Sequence, residues 1–522
     1  MMFRVAGFRS GIFLTLVLGL LPGCSPQALT MSEVTSLSAM IDDASIRQLQ
    51  KYQANGELSA ENLTSYYIDR INKTRDTVNA VIAINPQALE DAAKLDQVRK
   101  QGKPLGLLHG IPILIKDNID TLDMPTTAGS LYLKENHTGR DAPLVARLRQ
   151  AGAIILGKAN LSEWANFRST QSTSGWSAVG GQTRNPHDIS RSPCGSSSGS
   201  GAAVAANLAA AAIGTDTWGS IICPGSAMGI VGIKPTVGLV SRTHVIPISN
   251  TLDTAGPMAR TVEDAALLLS VLAGYDAQDP ATDIIRSKQA FDYYSSLANA
   301  SLKGIKLGIF RPNPEQIHGG TQALFLKALD QLIESGAVLE EAFPAEFPYP
   351  DFFTDAVSIM KYELQQGLND YFQSLSAPLN QLSLQGLIQF NNENAATEML
   401  YFGQDLLEQS LPLGGLDESG YVAAVDRLQP FARKIIDGMF LENNVDIIVG
   451  LSMDQAWPID YENGDAGAYE SYDFPSLAGY PHLTLPLGKV DGLPVGLLFV
   501  VRPLNENKMF LAAQVFERMA KQ

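Results

Sequence analysis

Three places in this 522-residue chain carry residue types that can move protons or bond to carbon. The first is a run of small polar residues, Arg191-Ser192-Pro193-Cys194-Gly195-Ser196-Ser197-Ser198-Gly199-Ser200-Gly201. The second, Thr215-Asp216-Thr217-Trp218-Gly219-Ser220, ends on a serine preceded by glycine. The third is Lys116, which closes the apolar stretch Gly110-Ile111-Pro112-Ile113-Leu114-Ile115 and is followed by Asp117 and Asn118. Between the serine segments, residues 202–213 are rich in Ala, Val and Leu and favour a helix. Such a helix turns its free N-terminal N–H groups toward the serines, which suits a site that handles negative charge on oxygen. Gly/Ser runs are usually flexible linkers, but a linker is not normally sealed onto an apolar helix and a second Gly-Ser turn. A phosphate loop needs lysine after the last glycine of G-x-x-x-x-G-K-[ST], and that lysine is absent.

Lysine at the end of an apolar strand has two readings. It snorkels, its stem buried and its ammonium in water, or it is desolvated and holds a neutral amine able to act as base. Periodicity does not separate them. Other chemistries lack their parts. The six histidines, His109, His137, His187, His244, His318 and His482, stand in no nucleophile-elbow context, as a Ser-His-Asp hydrolase requires. No H-E-x-x-H or paired metal-ligand spacing occurs. Cys223 as a nucleophile would need an activating base that the sequence does not identify. No metal and no cofactor are expected.

Elements that must position these residues follow from pattern. Residues 45–53 and 59–73 read as amphipathic helices, with Ser59 and Asn62 as a cap and Leu63, Tyr66, Tyr67 and Ile71 as an apolar stripe. Strands are expected at 81–84, 110–118, 154–158, 305–310, 445–450, 482–487 and 495–501, and helices at 86–101 and 143–151. Strands alternating with helices imply crossover units and a largely parallel sheet covered on both faces. From about 280 to 442 the pattern turns mostly helical and more charged, an elaboration covering the sheet. The expectation is one large α/β domain over 30–522, with 281–445 as its variable helical part.

Charge narrows the partners. The formal net charge is −16, and charged residues make up 18% of the chain. An acidic surface argues against nucleic acid and against general attraction to anionic membranes. The N-terminus stands apart: Arg4 and Arg9 precede an apolar run over 12–21 that is too short to span a bilayer. Leu21-Pro22-Gly23-Cys24-Ser25 then has the layout of a lipobox. Residues 1–24 are therefore expected to direct export to the periplasm. Cys24 becomes a lipidated first residue, or ordinary signal peptidase cleaves instead. A lipid anchor would be the sole membrane contact, and oligomeric state is not readable. Lipidation leaves Cys194 and Cys223, which flank the serine segments, as one possible pair; two buried free thiols are the expected state.

Taken together, these motifs resemble the amidase signature family. The resemblance rests on the strand ending in Lys116-Asp117, the Gly195-Ser196-Ser197 turn and Gly214-Thr215-Asp216-Thr217-Trp218-Gly219-Ser220-Ile221. Gly229 to Thr236, Asp253 to Arg260, Gly479-Tyr480-Pro481 and Gly492 to Gly496 fit as well. It covers most of the chain from about residue 45 and is weakest between 280 and 445. Within the family, Glu163 to Ser169 and Ser192 to Gly201 are most similar to bacterial peptide amidases, which release ammonia from C-terminal carboxamides of peptides.

The resemblance implies roles. Ser220 is the nucleophile, Ser196 a bridging serine entered by a cis peptide bond from Gly195, and Lys116 the base. Backbone N–H groups of Thr217, Trp218, Gly219 and Ser220 are the oxyanion donors. Trp218 stands where glycine is common, so a tolerated conformation with its indole facing the pocket is expected. Ile222 replaces a common arginine, which removes a charged substrate contact. Asn166 binds the substrate backbone. Asp117 and Asp216 hydrogen-bond the backbone or Lys116 rather than substrate, and Ser197 and Ser198 support Lys116 or the turn. The expected activity is hydrolysis of carboxamides to carboxylate and ammonia, preferably at peptide C-termini. Aryl-acylamidase, fatty-amide hydrolase, general aliphatic amidase and amidotransferase-subunit activities are the family alternatives. A non-catalytic peptide-binding lipoprotein is the alternative of another class, and it predicts loss of one of the three central residues.

Overall fold

Serines start the first two helices, as their spacing predicts. Ser45 accepts the Gln48 N–H at the head of the helix Ile46–Ala54, and Ser59 accepts the Asn62 N–H at the head of Ala60–Lys73. Each side chain satisfies a donor that the first helical turn leaves without an intrahelical partner. The computed structural model describes residues 37–288, 290–342 and 349–521. The expected export segment and Cys24 lie outside the described residues. Residues 41–521 belong to one compact unit; of the stretch before it residues 37–40 are described, in helical conformation. Among the described residues no helix is long and apolar enough to cross a membrane.

The strands are β1 (Val81–Ile84), β2 (Ile111–Lys116), β3 (Ala153–Ala159), a small ribbon of β4 (Trp176–Ser177) and β5 (Gly181–Gln182), and β6 (Ala211–Asp216). They continue as β7 (Val231–Lys234), β8 (Thr254–Ala259), β9 (Lys306–Phe310), β10 (Val338–Glu341), β11 (Ile447–Met453), β12 (His482–Val490) and β13 (Leu493–Val500). All but the ribbon join one sheet in the order β1-β3-β2-β6-β8-β7-β12-β13-β11-β9-β10. Helices cover both faces. Ser198–Ala205 and Ile222–Met228 pack on each other and on central strands, while Pro143–Gln150, Val262–Leu272 and Glu506–Ala520 form another contiguous layer.

The α/β architecture with one mixed sheet is the expected one, but the balance of directions differs. Among the described residues, the pairs β2–β3, β2–β6, β9–β11 and β9–β10 are parallel. The other six neighbouring pairs are antiparallel. Helical crossovers make the two parallel blocks. In the antiparallel centre, β12 and β13 are joined by the two-residue return 491–492, while the other neighbours are joined by longer connections.

A second difference bears on the site. The Ala-rich run 202–213 does not form one helix. Helix Ser198–Ala205 ends there, Asn207 turns left-handed with φ 55°, and 211–213 belong to β6. All six residues of β6 are buried between β2 and β8, so sheet packing overrides the helix preference of alanine. The segment 281–445 is mixed as well: alongside helices such as Gly319–Glu334, Phe352–Gln373 and Ser419–Glu442 it supplies β9 and β10 at the sheet edge.

These strands set up the chemistry. β2 and β6 run parallel side by side, so Lys116 and Asp216 close their carboxyl ends together, where open α/β sheets place ligands.

Candidate active site

Apolar β2 carries Lys116 into the interior. All six residues Ile111–Lys116 are buried, and Lys116 itself is fully inaccessible. Its Nζ lies 2.7 Å from Ser196 Oγ, 2.8 Å from Thr215 Oγ1 and 3.3 Å from the Thr215 carbonyl. These partners are neutral, so burial dominates and pushes the amine down from 10.5 to about 7, opposed in part by the more distant carboxylates of Asp216 and Asp253. The snorkelling reading is excluded by this burial.

Asp117 does not touch Lys116. Its carboxylate pairs with a second buried lysine, Lys158, at 3.3 Å and accepts the Thr127 N–H and hydroxyl. Lys158 also donates to the Ile119 carbonyl at 2.6 Å. This pair braces the turn after β2 and leaves the Lys116 amine without a counter-ion.

Ser196 and Ser197 stand at the head of the helix Ser198–Ala205. The Gly195–Ser196 peptide bond is cis. A Cβ on Gly195 would lie 2.2 Å from Ser162 Oγ, so only glycine fits there. Ser197 Oγ donates to the Thr215 carbonyl at 2.9 Å and accepts the Thr215 N–H at 3.2 Å, while its own N–H donates to the Ser220 carbonyl at 3.1 Å. Ser197 thus ties the serine loop to the end of β6, and Ser198 Oγ closes the loop on the Cys194 carbonyl at 2.6 Å. Neither of these hydroxyls contacts Lys116.

Asp216 shapes the turn that presents Ser220. Its carboxylate accepts the Gly219 N–H at 2.9 Å and the Ile221 N–H at 2.7 Å. Buried Lys234 sits 3.6 Å from that carboxylate and donates to the Asp216 and Leu252 carbonyls. One oxyanion expectation needs correction: the Gly219 N–H is committed to Asp216, which leaves those of Thr217, Trp218 and Ser220 as candidates. The left-handed residue of the turn is Gly219, with φ 85°, and a Cβ there would strike the Tyr472 ring. Trp218 is not among the left-handed residues. Its indole N–H donates to Asp473 at 2.7 Å, and its ring stacks on Phe353 with centroids 5.7 Å apart.

Ser220, Thr217, Trp218 and Gly195 border a cavity of about 310 Å³. Asn166 borders it too, with its side-chain oxygen buried and without a hydrogen-bond partner. It follows Trp164 and Ala165 in an unbroken left-handed stretch, with φ of 51°, 54° and 71° along the three residues. Apolar walls come from Phe167, Ile248, Met360 and Trp457, and among the described residues no Lys or Arg lines the space. Asp465 contributes an acidic wall, fully engaged by the Ser174 N–H and hydroxyl and by the Trp457 indole at 3.0 Å. Among the described residues no group of three or more His, Cys, Asp or Glu side chains could hold a metal ion.

Cys194 and Cys223 are not free thiols. They form a disulfide with Cα atoms 5.9 Å apart, because the serine loop and the first turn of the helix Ile222–Met228 bring them to the same cavity wall. Asp253, Asp465, Tyr472, Lys158 and Lys234 were not assigned roles from sequence. Lys234 and Asp253 fall inside motifs that carried the resemblance, so a signal was present. Asp465 and Tyr472 fall in 454–473, where no periodicity marks them.

Residues 62–510 match the model of the amidase family. A native peptide amidase of Stenotrophomonas maltophilia is 44% identical, with 92% of this chain and 97% of that chain covered and a TM-score of 0.87. The peptide amidase PAM in complex with the competitive inhibitor chymostatin is 45% identical, with 92% and 98% covered and a TM-score of 0.88. A probable amidase of Arabidopsis thaliana is 35% identical over 491 residues, covering 92% of this chain and 90% of the relative.

Proposed function

The chain belongs to the amidase signature family, and from that premise we propose that it is a serine amidohydrolase that releases ammonia from C-terminal carboxamides of peptides. One observation carries the proposal: a fully buried amine, pushed down to about 7, sits 2.7 Å from the hydroxyl of Ser196. Ser197 then links Ser196 to Ser220 through its N–H bond to the Ser220 carbonyl at 3.1 Å.

The relay runs in both directions. Neutral Lys116 accepts the Ser196 proton while Ser196 accepts that of Ser220, and Ser220 Oγ bonds to the amide carbon. Negative charge develops on the carbonyl oxygen, where the Thr217, Trp218 and Ser220 N–H groups are the candidate donors; one such donor is typically worth about 2.7–4 kcal/mol. The proton returns along the same path to the amide nitrogen, ammonia leaves, and an acyl-Ser220 ester remains. Water then gives its proton to the relay, attacks the ester carbon and restores Ser220 with a carboxylate product.

Substrate preference is read from the walls. The unpartnered Asn166 oxygen can accept a peptide N–H, and aromatic and apolar side chains face the remainder. Among the described residues the lining holds no Lys or Arg, which disfavours substrates ending in a free carboxylate. Ammonia release from peptide amides, acyl anilides and fatty amides tests this preference. Peptide amides are expected to show the highest kcat/KM, whereas turnover of anilides or fatty amides alone would replace the peptide reading with one of the family alternatives.

Export through residues 1–24 with lipidation at Cys24 belongs to the same proposal. A disulfide beside the site supports it, since such bonds persist in oxidising compartments. Membrane fractionation checks the anchor: the wild-type chain is expected in the membrane fraction and Cys24→Ala is not, and an equal distribution would rule the anchor out.

A further inference from the structure

The relay proposed above needs two separate segments held in register, residues 192–197 carrying Ser196 and residues 216–223 carrying Ser220. One backbone hydrogen bond joins them directly, from the Ser197 N–H to the Ser220 carbonyl. The Cys194–Cys223 disulfide joins them covalently, two residues before one serine and three after the other. Cys194 is left-handed, with φ 54°; its N–H meets Ser192 Oγ and its carbonyl takes the Ser198 hydroxyl at 2.6 Å. A side chain in that backbone conformation is disfavoured unless its surroundings enforce it. On the other side, the Cys223 N–H donates to the Gly219 carbonyl at 2.8 Å, which closes the nucleophile turn onto the helix Ile222–Met228. Both cysteines border the cavity together with Gly195 and Ser220.

We propose that the Cys194–Cys223 disulfide is a positioning element of the proton relay, setting the separation of the Ser196 and Ser220 hydroxyls, and that bound substrate shields it from reductants. The proposal rests on the relay reading given above. Its chemistry is a simple exchange. A dithiol supplies two electrons and two protons, the sulfur–sulfur bond breaks, Cys194 and Cys223 become thiols, and the dithiol closes to its own cyclic disulfide. Freed of the link, the two turns retain the Ser197 N–H bond to the Ser220 carbonyl and, one residue before the second turn, the two bonds between Ser197 Oγ and Thr215. Displacing a reacting group by about 1 Å can cost on the order of 100-fold in rate, so a relaxed relay is expected to lose kcat rather than substrate affinity.

The test uses the oxidised full chain, a peptide amide as substrate and dithiothreitol as reductant, with thiols counted before and after. A gain of two thiols is expected to accompany a fall in kcat of roughly tenfold or more, with little change in KM and in the far-ultraviolet circular dichroism. Reoxidation is expected to restore the rate, and Cys194→Ser/Cys223→Ser is expected to start at the lower kcat and ignore the reductant. A saturating competitive inhibitor of the oxidised enzyme is expected to slow the gain of thiols. An active chain whose kcat is unchanged after gaining two thiols overturns the positioning role. So does a chain that unfolds on reduction, since the bond would then be a general staple. Reduction at the same rate with and without the inhibitor overturns the shielding. An oxidised chain that releases no ammonia from any amide removes the relay reading itself and this proposal with it.

Discussion

Ser220→Ala is expected to lower kcat for amide hydrolysis by about 10⁴-fold or more, with the fold and the cavity intact. The size follows from what the hydroxyl does: it supplies the only bond to the amide carbon in the proposed path, and no neighbouring group can take that place. The disulfide removes the Cys223 thiol from consideration, and Ser196 already spends its hydroxyl on the Lys116 amine at 2.7 Å. Alanine loses one oxygen at a position that is 9% exposed and borders the cavity, so the stability cost is small. Steady-state ammonia release together with a thermal unfolding curve checks both halves. Retention of full activity with an unchanged melting temperature would remove Ser220 from the mechanism.

Lys116→Met separates chemistry from folding in the opposite sense. Methionine keeps the length and apolar stem but accepts no proton, and a positioned general base contributes typically about 10²–10⁴-fold; the loss in kcat at neutral pH is expected in that range. Stability is expected to rise. The buried amine has a folded value near 7 against 10.5 for an ordinary lysine. Unfolding therefore takes up a proton between these values, and the wild-type fold becomes less stable as pH falls through that window. Below about 7 the penalty is complete, and above about 10.5 it vanishes. Lys116→Met should melt at a higher temperature than wild type at pH 7, with the difference shrinking toward pH 10.5. A variant that melts lower at pH 7 would mean that the ammonium is stabilised in the fold rather than desolvated.

Much of the site was legible because its parts lie in short contiguous motifs. Lys116 at the end of β2, Ser196 ahead of a helix and Ser220 after Gly219 are each local patterns, and crossover connections bring such ends together. What was not legible depends on partners distant in the chain. Residues 211–213 read as helix because alanine favours one, whereas their state is set by β2 and β8 on either side. The sheet read as mostly parallel because strand direction depends on the return path, which periodicity does not encode. Trp218 adopts the tolerated conformation expected of it, because the left-handed residue of the turn is its neighbour Gly219. Position alone makes Gly219 an oxyanion donor, whereas the Asp216 carboxylate holds its N–H. Of the two roles expected for Asp117, it takes the backbone one, accepting the Thr127 N–H; adjacent strand residues point to opposite faces, so its charged partner is Lys158 and not Lys116. The cysteine pair turned on a distance that no count of residues supplies.

The central claim is that a neutral buried amine drives the relay, and the dependence of kcat/KM on pH reads it most directly. For the wild-type chain on a peptide amide, the rate is expected to rise from acid pH, inflect near 7 as the Lys116 amine loses its proton, and level off above. A rate independent of pH from 5 to about 9, in an enzyme that Ser220→Ala inactivates, would contradict it.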